Sequence, residues 1–259
     1  MAETGAGHYV YCVMPGDAQP SLDDVAGMDD REPVEVLRHA GLAAVGTRVS
    51  LAEFGAEPLE RNLNDLDWLA RAARAHQAVL DRAFASGPIV PLRLCTIYAD
   101  EAHVREMLER ERDVLLDTLA RLRDVSEWGV KLMVDARGRA ARDPEPASPS
   151  SGREYFERRR RERQEREAAQ GLTLRAAEEV HERLRGQATA ATLLRPQTRE
   201  LHGREGEMIF NGAYLVERSG VERFRAVAEE LRAGQRRHGL ALEVTGPWPP
   251  YNFVGPPER

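Results

Sequence analysis

The order of hydrophobic periods in the second half of the chain restricts its fold more than any other sequence feature. Apolar and β-branched runs predict four strands, at 128–135, 189–197, 208–217 and 240–245. Apolar residues at spacings of three and four predict a long helix at 153–187 and a shorter helix after residue 219. The predicted order of elements is therefore β-α-β-β-α-β.

Local signals support this order. Ser219 followed by Glu222 fits a capping box at the start of the shorter helix, and Gly239 is expected to end that helix. The last strand alternates, with inward positions at Leu240, Leu242 and Val244. An order of β-α-β-β-α-β with such boundaries predicts a ferredoxin-like domain in an α+β chain.

The first half predicts a second α+β domain with a less regular strand order. Its strands are expected at 8–14, 41–54 and 89–98. A helix at 62–85 is expected to bury Leu66, Leu69, Ala73, Leu80 and Phe84. A second helix, capped by Asp100, is expected to bury Val104, Leu108, Leu115, Leu119 and Leu122. We therefore expect an N-terminal domain at 1–124, a ferredoxin-like domain at 125–247 and a C-terminal tail at 248–259.

Two segments of the second half are unusually polar. Residues 136–152 are rich in Pro, Ser, Gly and Ala with little to bury, which predicts a flexible loop. The charged start of the following helix, 157–167, interleaves arginines with glutamates, and this pattern favours a solvated helix with ion pairs over a nucleic-acid contact. Tyr155 and Phe156 are expected to anchor the helix against a sheet.

Composition excludes several classes of protein. The net charge of −6 disfavours nucleic-acid binding, and no run of apolar residues is long enough to span a membrane. The first residues lack a secretory signal pattern, so we expect a cytoplasmic protein. Cys12 and Cys95 form no CxxC unit, which predicts two free buried thiols rather than a disulfide.

Motifs for chemistry are missing from the sequence. It contains neither a Walker-type phosphate loop nor a GxGxxG turn. His181 lacks the second histidine of a zinc helix, because position 185 is Arg. His76 lies on the apolar side of its helix, where a hydrogen-bonded core histidine is more common than a catalytic base. We predict no catalytic residue, no bound cofactor and no metal.

The C-terminal tail carries the most distinctive motif, the run TGPWPPYNFV at 245–254. Prolines fix φ and push the preceding residues to extended conformations, which predicts a stiff polyproline-like strip over 246–251 with Trp248 and Tyr251 pointing the same way. Such a strip either docks on its own protein, which we favour, or binds a partner. The candidate docking or partner-binding residues are Trp248, Pro249, Pro250, Tyr251 and Phe253.

At this motif the chain resembles the GvpL/GvpF family of gas vesicle proteins. The run LEVTGPWPPYNFV is similar to the family's C-terminal signature, and HQAVLDRAFASGPIVPLRLCTIY to its central passage from helix to strand. Shorter runs that are similar to the family follow in the same order, namely YVYCV, EWGVKL, SGREYFERRR and NGAYLV. The resemblance extends over essentially the whole chain.

The resemblance implies a two-domain α+β fold and an accessory role in gas vesicle formation. It implies binding to the hydrophobic shell protein and to other accessory proteins, with gas vesicle association and a possible minor place in the vesicle. From the missing motifs, the net charge and the lack of a long apolar run, we predict no enzyme activity and neither nucleic acid nor a membrane as partner. Two alternatives stay open at this point, an enzyme built on a ferredoxin-like domain and a nucleic-acid-binding regulator that uses the arginine run.

Overall fold

The computed structural model describes residues 5–134, 152–198 and 206–255. Its chain divides into two compact units, residues 1–126 together with 248–259, and residues 127–247. We describe them as unit 1 and unit 2. The loop predicted to be flexible, 136–152, lies outside the described residues except for Gly152, where a helix begins.

Unit 1 contains a five-stranded sheet and five helices among its described residues. Its strands are β1 (Ala6–Pro15), β2 (Val34–His39), β3 (Leu42–Ser50), β4 (Val90–Pro91) and β5 (Ile97–Tyr98). Its helices are α1 (Leu51–Phe54), α2 (Ala56–Leu63), α3 (Leu66–Ala85), α4 (Glu101–Arg110) and α5 (Arg112–Arg121). The strand order is β2-β3-β1-β4, with β5 also paired to β1. All of these pairs are antiparallel.

A β-bulge in the central strand β1 decides which residues face each side of this sheet. Val10 pairs with Gly46 and Cys12 pairs with Val45, so Tyr11 is the extra residue. In a regular strand, residues an even number of positions apart share a face. The extra residue at the bulge changes this rule across it, so that Tyr9 and Cys12, three positions apart, share a face. As a result one face carries Tyr9, Tyr11, Cys12 and Met14, and the other carries Val10 and Val13.

Helices cover both faces of the sheet. The α3-side cluster joins the first face to Trp68, Ala72, Val79, Leu80 and Ala83 of α3. The α4/α5-side cluster joins the second face to Val104, Met107, Leu108, Leu115 and Leu119. Burial on both faces explains why β1 is an unbroken apolar run rather than an alternating one.

The described residues of unit 2 have the predicted element order. Its elements are β6 (Val125–Val134), α6 (Gly152–Arg185), β7 (Ala190–Leu193), β8 (Met208–Glu217), α7 (Val221–Arg236) and β9 (Leu240–Trp248). The strand order is β7-β8-β6-β9. The second half of α6 and the inner face of α7 pack on one face of the sheet, through Ala176, Val180, Leu184, Phe224, Ala228 and Leu231. The mixed helix and strand content with two antiparallel sheets confirms the predicted α+β class.

Several predicted boundaries in unit 1 were wrong. The helix predicted at 62–85 begins at Leu66, because the Asp65 side chain caps it by accepting from the Asp67 and Trp68 amides. Its buried stripe is Trp68, Ala72, His76, Val79, Leu80 and Ala83, whereas Leu66 is 80% exposed. The strand predicted at 89–98 is reduced to β4 and β5, and β2 was not predicted at all.

The predicted capping box in unit 2 was also wrong. A 3₁₀ turn, Arg218–Gly220, precedes α7, and Gly220 at the N-cap makes no side-chain cap. The Ser219 hydroxyl lies 3.4 Å from Glu217 Oε2 instead of bonding an amide of the first helical turn.

Gly46 is required by the close approach of two strands at the bulge. A Cβ at this position would lie 2.6 Å from the Tyr9 carbonyl oxygen, a backbone atom that cannot move without shifting β1. We expect Gly46→Ala to lower the free energy of unfolding by about 2 kcal/mol or more, as overpacking does. Urea denaturation measures the change.

The same substitution in α7 provides the control. A Cβ at Gly234 would meet no atom within 4 Å, and its helical backbone favours Ala. Gly234→Ala is therefore expected to raise the free energy of unfolding by about 0.5–1 kcal/mol. Similar effects of the two substitutions would contradict the tight contact at Gly46.

Candidate interaction site

The tail leaves the sheet of unit 2 and turns sharply. Strand β9 continues through a cis Gly246–Pro247 peptide to Trp248. Pro250 then has φ −80° and ψ 63°, and the Tyr251 amide donates to the Pro249 carbonyl over 2.8 Å. These values define an inverse γ-turn, which a short 3₁₀ turn, Tyr251–Phe253, follows.

The prediction of a polyproline-like strip over 246–251 was therefore wrong. Its first residues belong to a strand, and the γ-turn at Pro250 breaks the extended course. Proline fixes φ but leaves ψ free, so a run of prolines restricts the chain without dictating a polyproline helix. Trp248 and Tyr251 consequently have different surroundings: Trp248 is 40% exposed, whereas Tyr251 packs against the α3-side cluster.

Hydrogen bonds from two helices hold the tail in unit 1. The Tyr251 hydroxyl donates to Gln77 Oε1 on α3 over 2.8 Å. Arg121, at the end of α5, donates through Nη1 to the Phe253 carbonyl over 2.8 Å and through Nη2 to the Gly255 carbonyl over 2.9 Å. A guanidinium suits this role because its two forked N–H groups bind two carbonyls at once.

Packing reinforces these bonds. Pro249, Pro250 and Phe253 are buried, and Phe253 is only 8% exposed. Val254 packs against the α4/α5-side cluster. The contacts place Pro249, Pro250, Tyr251 and Phe253 in internal packing and leave Trp248 as the candidate tail residue with a large exposed surface.

The first half of α6 also exposes aromatic side chains. Tyr155 is 43% exposed and Phe156 is 73% exposed, so the prediction that they anchor the helix against a sheet was wrong. Among the residues of α6 whose burial is described, the first buried one is Ala176, so Tyr155 and Phe156 lie outside the part of the helix that packs on the sheet. The Arg159 guanidinium lies over the Tyr155 ring, 5.8 Å from its centroid.

Three arginines of this half-helix are paired with glutamates of the same helix. Arg153 and Arg161 both contact Glu157, and Arg163 contacts Glu167 over 2.9 Å, each four residues apart. Pairs at this spacing are typical of a solvated helix. The predicted ion-paired helix is confirmed for these residues.

His76, the histidine that the sequence placed on an apolar helix face, lies in the core at 4% exposure. The Tyr9 hydroxyl lies 2.7 Å from His76 Nδ1 and accepts from the Cys95 amide over 2.9 Å. Burial lowers the pKa of His76 to about 4, an effect that the Leu92 backbone partly offsets. Neutral His76 with Nδ1 accepting the Tyr9 proton satisfies the Tyr9 hydroxyl, as predicted for a hydrogen-bonded core histidine, while His76 Nε2 has no partner within hydrogen-bond distance among the described residues.

The remaining predicted groups form no reactive cluster. His181 Nδ1 lies 3.1 Å from the Tyr214 hydroxyl, and Cys12 and Cys95 are free thiols as predicted. Burial raises the pKa of both thiols, which disfavours the nucleophilic thiolate. Within the described ranges we find no group of three or more His, Cys, Asp or Glu side chains that could hold a metal ion. A search of the same ranges finds no helix with the length and apolar character needed to cross a membrane.

Comparison with known proteins identifies the class to which this fold and tail belong. The chain is a gas vesicle protein: over 227 residues it is 38% identical to gas vesicle protein L of Streptomyces sp. (strain CB03234), covering 86% of this chain and 84% of that protein. A family model described as "Gas vesicle synthesis protein GvpL/GvpF" matches residues 7–255. The chain belongs to the GvpL/GvpF family.

Further comparisons agree over nearly the whole chain. Gas vesicle protein F of the same Streptomyces strain is 31% identical over 264 residues, covering 95% of this chain and 98% of that protein. The crystal structure of the gas vesicle protein GvpF from Anabaena sp. PCC7120 superposes with a TM-score of 0.69 at 18% identity and covers 98% of both chains. At that identity the superposition shows a shared fold.

The tail contacts predict that truncating the buried ring of Phe253 destabilises the protein more than truncating the partly exposed ring of Trp248. Phe253→Ala is expected to lower the free energy of unfolding by about 3 kcal/mol, because it leaves a cavity in a packed site. Trp248→Ala is expected to cost less, about 1 kcal/mol, because Trp248 is 40% exposed and its truncation removes less packed surface than that of Phe253. Urea denaturation compares the two; equal losses would show that Trp248 is packed as Phe253 is.

The buried histidine predicts a pH-dependent stability. Above the unfolded pKa of 6.5 both states hold neutral His76, whereas between pH 6.5 and about 4 only the unfolded state takes up a proton. The stability advantage of wild type over His76→Gln is therefore expected to shrink by about 3 kcal/mol as pH falls through this window. Denaturation of both proteins at several pH values measures it. A constant difference would contradict the lowered pKa.

Proposed function

We propose that this chain is a gas vesicle assembly factor that binds the hydrophobic shell protein and other vesicle proteins and makes or breaks no covalent bond. The match of the GvpL/GvpF family model to residues 7–255 carries this proposal. We further propose that the protein acts in the cytoplasm in association with the vesicle, either transiently or as a minor component.

The physical problem for such a protein is the state of the shell subunit before assembly. A largely apolar subunit exposes aggregation-prone apolar surface and unpaired strand edges until it is incorporated into the shell. A partner that covers this surface keeps the subunit soluble and available for addition. Trp248 suits this role, since a half-solvated aromatic ring beside a firmly docked tail loses little conformational entropy on binding.

The architecture that we propose has two domains and a docked tail, with boundaries near residues 124 and 247. The second domain is proposed to be ferredoxin-like. Its observed strand order, β7-β8-β6-β9, supports this, because the second, third, first and fourth strands of the unit lie side by side in that sequence. The tail, although it follows the second domain in the chain, is proposed to be part of the first.

Two observations favour this role over the alternatives. Tyr9 and His76, whose pKa values burial shifts away from neutrality, are bonded to one another in the core, an arrangement typical of a structural pair. In the arginine-rich half of α6, Arg161 contacts Glu157 and Arg163 contacts Glu167, so these two arginines are engaged by glutamates of their own helix. Neither arrangement favours an enzyme or a nucleic-acid-binding regulator.

Affinity purification of the tagged chain, co-expressed with the shell protein and the other proteins of a vesicle cluster, tests the proposal. We expect the shell protein to co-purify, and Trp248→Ala to lower its recovery several-fold with the melting temperature unchanged. Leu66→Ala is the matched control, because Leu66 is 80% exposed and lies outside the tail. Failure to recover any vesicle protein under any co-expression condition would refute the assignment.

A further inference from the structure

Strand β2 forms one edge of the sheet of unit 1. Among the described strands it pairs with β3 alone, and a two-residue turn at Ala40 and Gly41 joins the two strands. Both turn residues have positive φ, 52° and 79°, which is typical of a type I′ turn. In such a hairpin the flanking residues, His39 and Leu42, exchange backbone hydrogen bonds, and every second pair does the same.

This alternation defines which backbone groups of β2 are unpaired. The amides and carbonyls of Glu35, Leu37 and His39 point to β3. Those of Val34, Val36 and Arg38 point away from it, and in the described part of the chain no hydrogen bond reaches them. Three consecutive outward positions provide the donor and acceptor pattern of a strand that lacks its neighbour.

The usual devices that protect such an edge are weak here. No proline interrupts β2, and its three aliphatic residues, Val34, Val36 and Leu37, are each only partly buried. Arg38 does not extend along the edge, because its guanidinium folds back to donate to the Gly16 and Ala18 carbonyls over 3.1 and 2.8 Å. The edge is therefore open to an approaching chain.

A cleft of about 210 Å³ opens beside this edge, between α4 and the sheet. Its apolar lining includes Leu37, Ala44, Gly46 and Val104. The small residues at 44 and 46 leave the space, and the close Tyr9 carbonyl prevents a larger residue at 46. A volume of this size admits one large aliphatic or aromatic side chain.

The charges at the cleft add a second requirement. Arg105 is paired with Glu101 over 2.8 Å, whereas Glu35, which also lines the cleft, forms no ion pair with any described residue. Glu35 and Leu37 lie on the same face of β2, two residues apart. A chain paired antiparallel to β2 therefore places one side chain opposite Leu37 and, two residues later, another opposite Glu35.

We propose that β2 receives an extended segment of the partner as an additional antiparallel strand. The segment carries a bulky apolar residue that enters the cleft and a Lys or Arg two positions later that pairs with Glu35. Backbone hydrogen bonds to Val34, Val36 and Arg38 provide affinity, and the cleft provides selectivity. The inference rests on the proposed function, from which the partner is the hydrophobic shell protein.

Residue-resolved hydrogen exchange on the co-expressed complex tests it. In the free chain the amides of Val34, Val36 and Arg38 are expected to exchange rapidly, and binding is expected to slow them at least tenfold. The amides of Glu35 and Leu37, already bonded to β3, are the internal control and are expected to be slow in both states.

Each other result overturns the inference in its own way. A complex that leaves the three outward amides fast shows that another surface binds the shell protein, and the proposed function stands. If these amides are protected in the chain alone, and their protection increases with its concentration, the edge binds a second copy of this chain. If no complex forms, both the proposed function and this inference are refuted.

A proline substitution provides the second test. Val36→Pro removes one outward amide, a change that edge strands tolerate, and is expected to weaken shell-protein binding tenfold or more. Val36→Thr keeps the amide and the β-branch and is expected to bind as wild type does. Glu35→Arg, at an exposed position, is expected to weaken binding through like charge. Unchanged affinity in both Val36→Pro and Glu35→Arg overturns the proposal.

Discussion

Two buried tyrosine hydroxyls organise unit 1. A buried hydroxyl without a hydrogen-bond partner is costly, so Tyr9 and Tyr11 restrict whatever packs around them. Tyr9 binds the Cys95 amide and His76 of α3, and Tyr11 accepts from the Met28 amide over 2.7 Å. The bulge at Tyr11 is what turns both rings to the same face. Strand β1 thus fixes α3 and the loops on either side of it.

This constraint also explains the path of the chain into β2. The segment 16–33 is held by the Tyr11 bond at Met28 and by Arg38, which bonds the Gly16 and Ala18 carbonyls. With its apolar residues Leu22, Val25 and Met28 turned to the α3-side cluster, the segment covers a face of the sheet. A segment that covers a face cannot also pair with the edge, so β2 remains the last strand.

The sequence predicted elements well where one face is buried and poorly elsewhere. In β9, Leu240 and Leu242 are buried and Ala241 is exposed, as alternation indicates. In β1 both faces are buried, so no alternation exists from which to infer the bulge. Strand β2 was missed because its alternating charges and short length give a weak signal. The γ-turn at Pro250 depends on long-range contacts with Gln77 and Arg121, which local residues do not encode.

The surface of the described chain favours recognition through the backbone over recognition through a broad apolar patch. Several of its exposed large apolar side chains lie on different elements, among them Leu66 on α3, Val114 on α5 and Leu193 on β7, whereas Tyr155 and Phe156 are neighbours on α6. Scattered exposure is normal for soluble proteins, and two neighbouring rings form only a small apolar area. An open strand edge instead presents directional donors and acceptors that only an extended chain satisfies. If β2 accepts a strand of its partner as we propose, it binds a subunit whose strand edges are still unpaired and releases that subunit once those edges are paired, because a fully paired sheet has no free backbone groups for β2 to bond.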